Sequence, residues 1–116
     1  MKLPNAEHAY VDRAKILDYL LNSSHPDGAG KAQFFLALGF RPQDWTCLAE
    51  ALRAVAVFDD VCMSLESPYG CKYVIDGCVE TPNGGSARVR TVWICEADES
   101  RPRLVTAYPC EEQLEP

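Results

Sequence analysis

The chain has 116 residues, 47% of them hydrophobic and 24% charged, which suits one globular domain and speaks against disorder, a collagen repeat or a coiled coil. Lys and Arg number 11 against 17 Asp and Glu, for a formal charge of −6. That balance argues against a general nucleic-acid binder, whose affinity comes from neutralised phosphates, although a small basic cleft on an acidic body stays open.

The first residues, Met1 to Ala6, hold no apolar run, so no secretory leader is expected and the cytosol is the expected compartment. No stretch approaches the ~18–20 apolar residues of a membrane span. Asp12 is placed to N-cap a helix whose apolar face is Ile16, Leu17, Leu20 and Leu21. His25-Pro26-Asp27-Gly28 reads as a loop, because Pro26 restricts His25. A second helix is predicted to start near Gly30 or Lys31, to carry Phe34, Phe35 and Leu38, and to end with Gly39 as its C′ residue. Pro42 suits the first turn of a third helix that runs to about Val57 with Trp45, Leu48, Leu52 and Val55 on one face.

The second half alternates with period two. Strands are predicted over Val61 to Glu66, Cys71 to Val79, Ala87 to Glu96 and Arg103 to Tyr108. Thr81-Pro82-Asn83-Gly84-Gly85 is a strong turn signal between the middle two. Three helices followed by a four-stranded antiparallel meander give an α+β fold, with the helices on one face of the sheet. Which face they cover stays open, because both carry apolar residues. In the last strand, Leu104, Thr106 and Tyr108 should share one face, and Arg103, Val105 and Ala107 the other. Residues 1–110 are expected to form a single domain and 111–116 an acidic tail.

The usual chemical signatures are missing. There is no G-x-G-x-x-G, P-loop, H-E-x-x-H or G-x-S-x-G. The six cysteines, Cys47, Cys62, Cys71, Cys78, Cys95 and Cys110, form no C-x₂-C pair and are expected as small buried hydrophobes. With two histidines, His8 and His25, no metal site is expected, and no cofactor is implied. Asp59-Asp60 reads as a solvated connection.

Four separated segments carry a resemblance. They are Leu3-Pro4-Asn5-Ala6; His25-Pro26 to Gly28 with Lys31-Ala32 and Phe34-Phe35; Arg88-Val89-Arg90-Thr91-Val92-Trp93; and Pro102-Arg103-Leu104-Val105-Thr106-Ala107-Tyr108-Pro109. In this order they resemble a bacterial domain family of unknown function. Its members occur as small stand-alone proteins and as the C-terminal tips of polymorphic toxins and phage-related proteins. The resemblance implies an architecture similar to the barnase–EndoU–colicin–RelE-like ribonucleases, which are usually metal-independent, and a cognate antitoxin or immunity protein as partner. Extending the activity here is a step of analogy, since fold does not fix function. Many relatives carry a histidine just before the helix lysine, where this chain has Gly30.

Metal-free RNA cleavage needs a base for the 2′-hydroxyl, an acid for the leaving 5′-oxygen and cations for the phosphate charge. The catalytic candidates are His25, Lys31, Arg90 and Thr106; the substrate-binding candidates are Arg88, Thr91, Arg103 and Tyr108. His25 is a candidate base or acid because imidazole titrates near neutrality, or else a loop cap. Lys31 would open a helix, where backbone N–H groups favour phosphate, or else is an exposed helix lysine. Arg90 could grip phosphate bidentately, or else pairs with Glu80 or Glu96. Thr106 and Tyr108 could donate to phosphate or base, or else reflect β-propensity. Trp93 and Tyr73 could stack on a base, or else pack in the core. A non-catalytic interaction module is the alternative, favoured by the acidic balance and by Gly30. The enzyme would bring His25 and Arg90 together in a concave site, whereas a module would show an apolar patch or an unpaired sheet edge.

Overall fold

The computed structural model describes residues 1–110; the expected acidic tail lies outside them. Helix α1 (Arg13–Lys15) widens into a π-helical turn over Ile16–Leu20, closed by Leu21 N–H donating to Ile16 O at 2.8 Å. Asp12 precedes it as expected, but its side chain makes no capping bond. Ile16, Leu20 and Leu21 are buried, in keeping with the predicted apolar face. Helix α2 (Ala29–Ala37) buries Ala32 and Phe35 and gives way to Gly39 at φ +102°. Pro42 opens a single 3₁₀ turn, and α3 (Trp45–Phe58) then buries Leu48, Leu52 and Val55.

Strands β1 (Val61–Ser67), β2 (Gly70–Glu80), β3 (Ser86–Glu96) and β4 (Arg103–Pro109) form one antiparallel sheet in the order β1-β2-β3-β4. The N-terminal segment partly covers the β4 edge, where Tyr10 bridges Arg103 in parallel. That contact blunts one edge of the sheet; β1 forms the other, where Val61 N–H donates to Met1 O at 2.7 Å and no further strand pairs among the described residues.

The face left open by the sequence is decided by the core. Ile75 and Val79 of β2, Val89, Thr91 and Trp93 of β3, and Leu104 and Ala107 of β4 are buried with the helices' apolar residues. Arg88 and Arg90 therefore lie on the uncovered face. The alternation predicted for β4 fails at one point. A β-bulge between Val92 and Trp93 sets Leu104 opposite Trp93 but Thr106 opposite Val92. The extra residue on β4 lets Leu104 and Ala107 share the core despite their odd spacing.

Two further expectations are corrected. Thr91 is no surface ligand, because it is fully buried. Its hydroxyl donates to Ile75 O and accepts from Trp93 Nε1, both at 2.8 Å. Trp93 is thus a core residue with its indole N–H satisfied. Thr91→Val keeps the shape but strands that N–H, and should cost about 1–3 kcal/mol in urea unfolding. The cysteines are mostly not buried either. Cys47, Cys62 and Cys78 are exposed, Cys71 and Cys95 half-buried, and only Cys110 is buried among the described residues. Cys47 lies on the solvent side of α3, Cys62 on the edge strand β1 and Cys78 opposite Arg88 on the uncovered sheet face, while Cys71 and Cys95 are cross-strand neighbours on the covered face at the end of the sheet.

Candidate functional site

The site grows from the π-helical turn. Such a turn adds one residue to the helical circuit and is often found where a side chain must be re-aimed. Here that side chain is Tyr19. The following loop closes over it so tightly that a Cβ on Gly28 would stand 2.8 Å from Tyr19 O and 2.9 Å from its Cδ1. Glycine is what lets α2 begin there.

Lys31, in the first turn of α2, donates a hydrogen bond from Nζ to the Tyr19 hydroxyl. Thr106 Oγ1 of β4 lies 3.4 Å from the same oxygen. The Lys31 ammonium also sits 4.8 Å from the Tyr19 ring centre and 5.9 Å from that of Tyr108, and Lys15 approaches Tyr19 at 5.0 Å. Burial alone would push the Tyr19 phenol up. The hydrogen bonds from Lys31 and Thr106, with the Lys31 and Lys15 charges, outweigh it and bring the phenol below its ordinary value.

Beside Tyr19 an open cavity of about 470 Å³ is lined by Lys15, His25 and Arg103, together with Asp12, Ala14 and Asp18. The His25 ring meets Tyr19 edge-on at 5.0 Å. Its Nδ1 accepts hydrogen bonds from the backbone N–H of Asp27 at 3.0 Å and of Gly28 at 3.1 Å. An acceptor nitrogen carries no proton, so the remaining Nε2 bears the N–H. His25 thus caps its loop and offers a donor, not a base, to the cavity.

Of the eight residues singled out in the sequence, five meet here: His25, Lys31, Thr106, Arg103 and Tyr108. Arg90 does not line the cavity, so the meeting of His25 and Arg90 in one concave site, expected of the enzyme, is not found here. Its Nε and Nη2 hold the two carboxylate oxygens of Asp76 at 2.7 and 2.8 Å. The ion pair considered for Arg90 therefore exists, but with Asp76 in place of Glu80 or Glu96. Arg88 lies beside it on the same face, and its charge adds to the hold on Asp76. The hydrogen bonds from Arg90 hold the Asp76 carboxyl below the usual range, against its partial burial. A depressed carboxylate stabilises the fold above its unfolded-state value and loses that contribution as pH falls through the folded one. Thermal unfolding should therefore show the wild type losing stability below about pH 4, with Asp76→Asn flatter across that window.

The sequence reading missed Tyr19. Its spacing of four from Lys15 was the available signal, since residues i and i+4 share a helix face. Gly30 is exposed, and a side chain there would meet open space within 4 Å, so packing does not dictate the glycine. Among the described residues no group of three His, Cys, Asp or Glu is arranged to hold a metal ion, and no helix is long and apolar enough to cross a membrane.

A family model spans residues 2–111, nearly the whole chain. The chain belongs to that family, Domain of unknown function (DUF6883). No curated protein matches the sequence. Among solved structures, this DUF6883 chain is similar to one described as "Contact-dependent growth inhibition toxin - immunity protein complex from Klebsiella pneumoniae 342". The TM-score is 0.70 at 21% identity, over 90% of this chain and 95% of that one. At that identity the likeness is one of fold.

Proposed function

We propose that this DUF6883 protein is the toxin half of a bacterial toxin–immunity pair and cleaves RNA without a metal ion. The observation that carries the reading is the placing of Lys15 and Lys31 against Tyr19, whose hydroxyl Thr106 also approaches, beside a cavity lined by Arg103 in its ion pair with Glu96, on a chain of net charge −6. Two lysines beside a half-buried polar cluster suit a phosphodiester, whose cleavage concentrates negative charge on the phosphoryl oxygens. The fold shared with a chain from a growth-inhibition toxin–immunity complex supports the same reading. The test is to incubate the purified protein with total tRNA and rRNA in EDTA, beside a Lys15→Ala, Lys31→Ala double variant. Discrete fragments from the wild type, at least ~10²-fold slower with the variant, are the expected result. Intact RNA in both samples overturns it.

A different feature favours a non-catalytic interaction module. On β1, at the sheet edge opposite β4, Met63 and Leu65 are 51% and 58% exposed, and Tyr69 in the following turn is 80% exposed. An unpaired edge with exposed apolar side chains is the surface such a module would present.

A further inference from the structure

The geometry points to Tyr19 as the proton acceptor for the attacking 2′-hydroxyl and to Lys31 as the proton donor for the leaving oxygen. This rests on the RNA-cleavage reading and deepens it. The sequence suggested His25 for proton transfer, but its Nδ1 is taken by two backbone N–H groups, and its Nε2 holds a proton it cannot accept again. Arg90 is locked to Asp76. Tyr19 is the half-buried phenol whose hydroxyl accepts a hydrogen bond from a cation, whereas Tyr108 meets Lys31 through its ring at 5.9 Å.

Each element packed around Tyr19 brings charge or polarity to its hydroxyl or ring. Lys15 comes from its own helix, His25 from the loop, Lys31 from α2 and Thr106 from β4. Arg103, ion-paired with Glu96 at 3.5 Å, lines the adjoining cavity with Asp12 and Asp18. The Lys31 bond is made from Nζ to the phenol oxygen, and this donor favours the phenolate over the phenol.

The proton count closes within this pair. The Tyr19 phenolate takes the proton of the 2′-hydroxyl. The 2′-oxygen forms a bond to the adjacent phosphorus, and the bond from phosphorus to the 5′-oxygen breaks. Lys31 gives one proton to that 5′-oxygen. Tyr19 then returns its proton to the Lys31 amine along their hydrogen bond, which restores phenolate and ammonium. The products are a 2′,3′-cyclic phosphate and a 5′-hydroxyl.

Tyr19→Phe keeps the ring and its cation contacts and removes only the hydroxyl. Cleavage of tRNA in EDTA is followed from about pH 6 to about pH 10 for both proteins, with product end groups identified. The expected result is a loss of ~10²–10⁴-fold in rate for Tyr19→Phe. The wild-type rate should rise with pH along a limb that the variant lacks. Ultraviolet difference titration of wild type against variant should show Tyr19 ionising before the other tyrosines. A variant that cleaves within a few-fold of wild type with the same pH profile overturns the assignment and leaves the RNase reading standing. Wild type that leaves RNA intact overturns the RNase reading and this assignment with it.

Discussion

Lys31→Met should slow RNA cleavage by ~10²–10³-fold while leaving the fold intact. Methionine nearly matches the lysine stem in length, so the packing of α2 against β4 is retained. What disappears is one ammonium that does two things. It donates to the Tyr19 hydroxyl, and it lies over the Tyr19 and Tyr108 rings. Without it the Tyr19 phenol loses its main opposition to burial and moves back up toward its ordinary value. The rate should therefore fall most near neutral pH and recover partly at high pH, where the phenol ionises without help. Lys31→Arg separates the positive charge from the proton that Lys31 gives to the leaving oxygen. A guanidinium restores the positive charge on a different geometry and cannot give up a proton near neutrality, so it should restore substrate binding more than turnover. Steady-state kinetics resolve this as KM returning toward wild type while kcat stays low.

The fold was largely legible because its signals repeat. The Ile16, Leu20 and Leu21 face, the Leu48, Leu52 and Val55 face and the alternation of β3 each rest on several residues in phase. The β4 alternation rests on a single uninterrupted count. One bulge residue was enough to move Ala107 to the covered face and invert the expected pairing with Leu104. The partner of Arg90 was in reach of the sequence. Counting outward from Asn83, the centre of the Thr81–Gly85 turn, sets Asp76 against Arg90 and Glu80 against Ser86. Glu80 was thus the nearer carboxylate in sequence and the wrong one in register.

The candidate site divides in the same way. His25, Lys31 and Thr106 are separated in sequence, but each sits in a recognisable place: a proline loop, a helix start and a strand. Tyr19 lies inside the apolar run from Ile16 to Leu21 and reads there as one more packing residue. Its hydroxyl acquires significance only when the π-helical turn aims it at α2 and β4, and helical periodicity carries no trace of such a turn. The role of His25 turned on a loop contact of three residues, Asp27 and Gly28 donating to Nδ1, that no pattern of residue types specifies.

Gly70→Ala should destabilise the protein by about 2–4 kcal/mol, the largest stability effect of any single methyl addition argued for this chain. Gly70 starts β2 at φ +146°, a backbone region that alanine resists. A Cβ there would also stand 2.3 Å from Cys95 O and 2.8 Å from Glu96 Cα. Those are backbone atoms of β3, held in the ladder by the Gly70–Glu96 and Cys71–Cys95 pairings, so they cannot swing aside as a side-chain end could. Relief requires the start of β2 to leave β3, and β1 goes with it because Ser67 pairs with Gly70. Urea unfolding should show a lower midpoint, and hydrogen exchange should speed up first in β1 and the start of β2. Lys31, Tyr19 and Thr106 lie against β4, at the opposite edge of the sheet. RNA cleavage per folded molecule should therefore stay near wild type in Gly70→Ala. Its collapse alongside the β1–β2 end would mean that the active surface extends across the sheet to the exposed Met63 and Leu65.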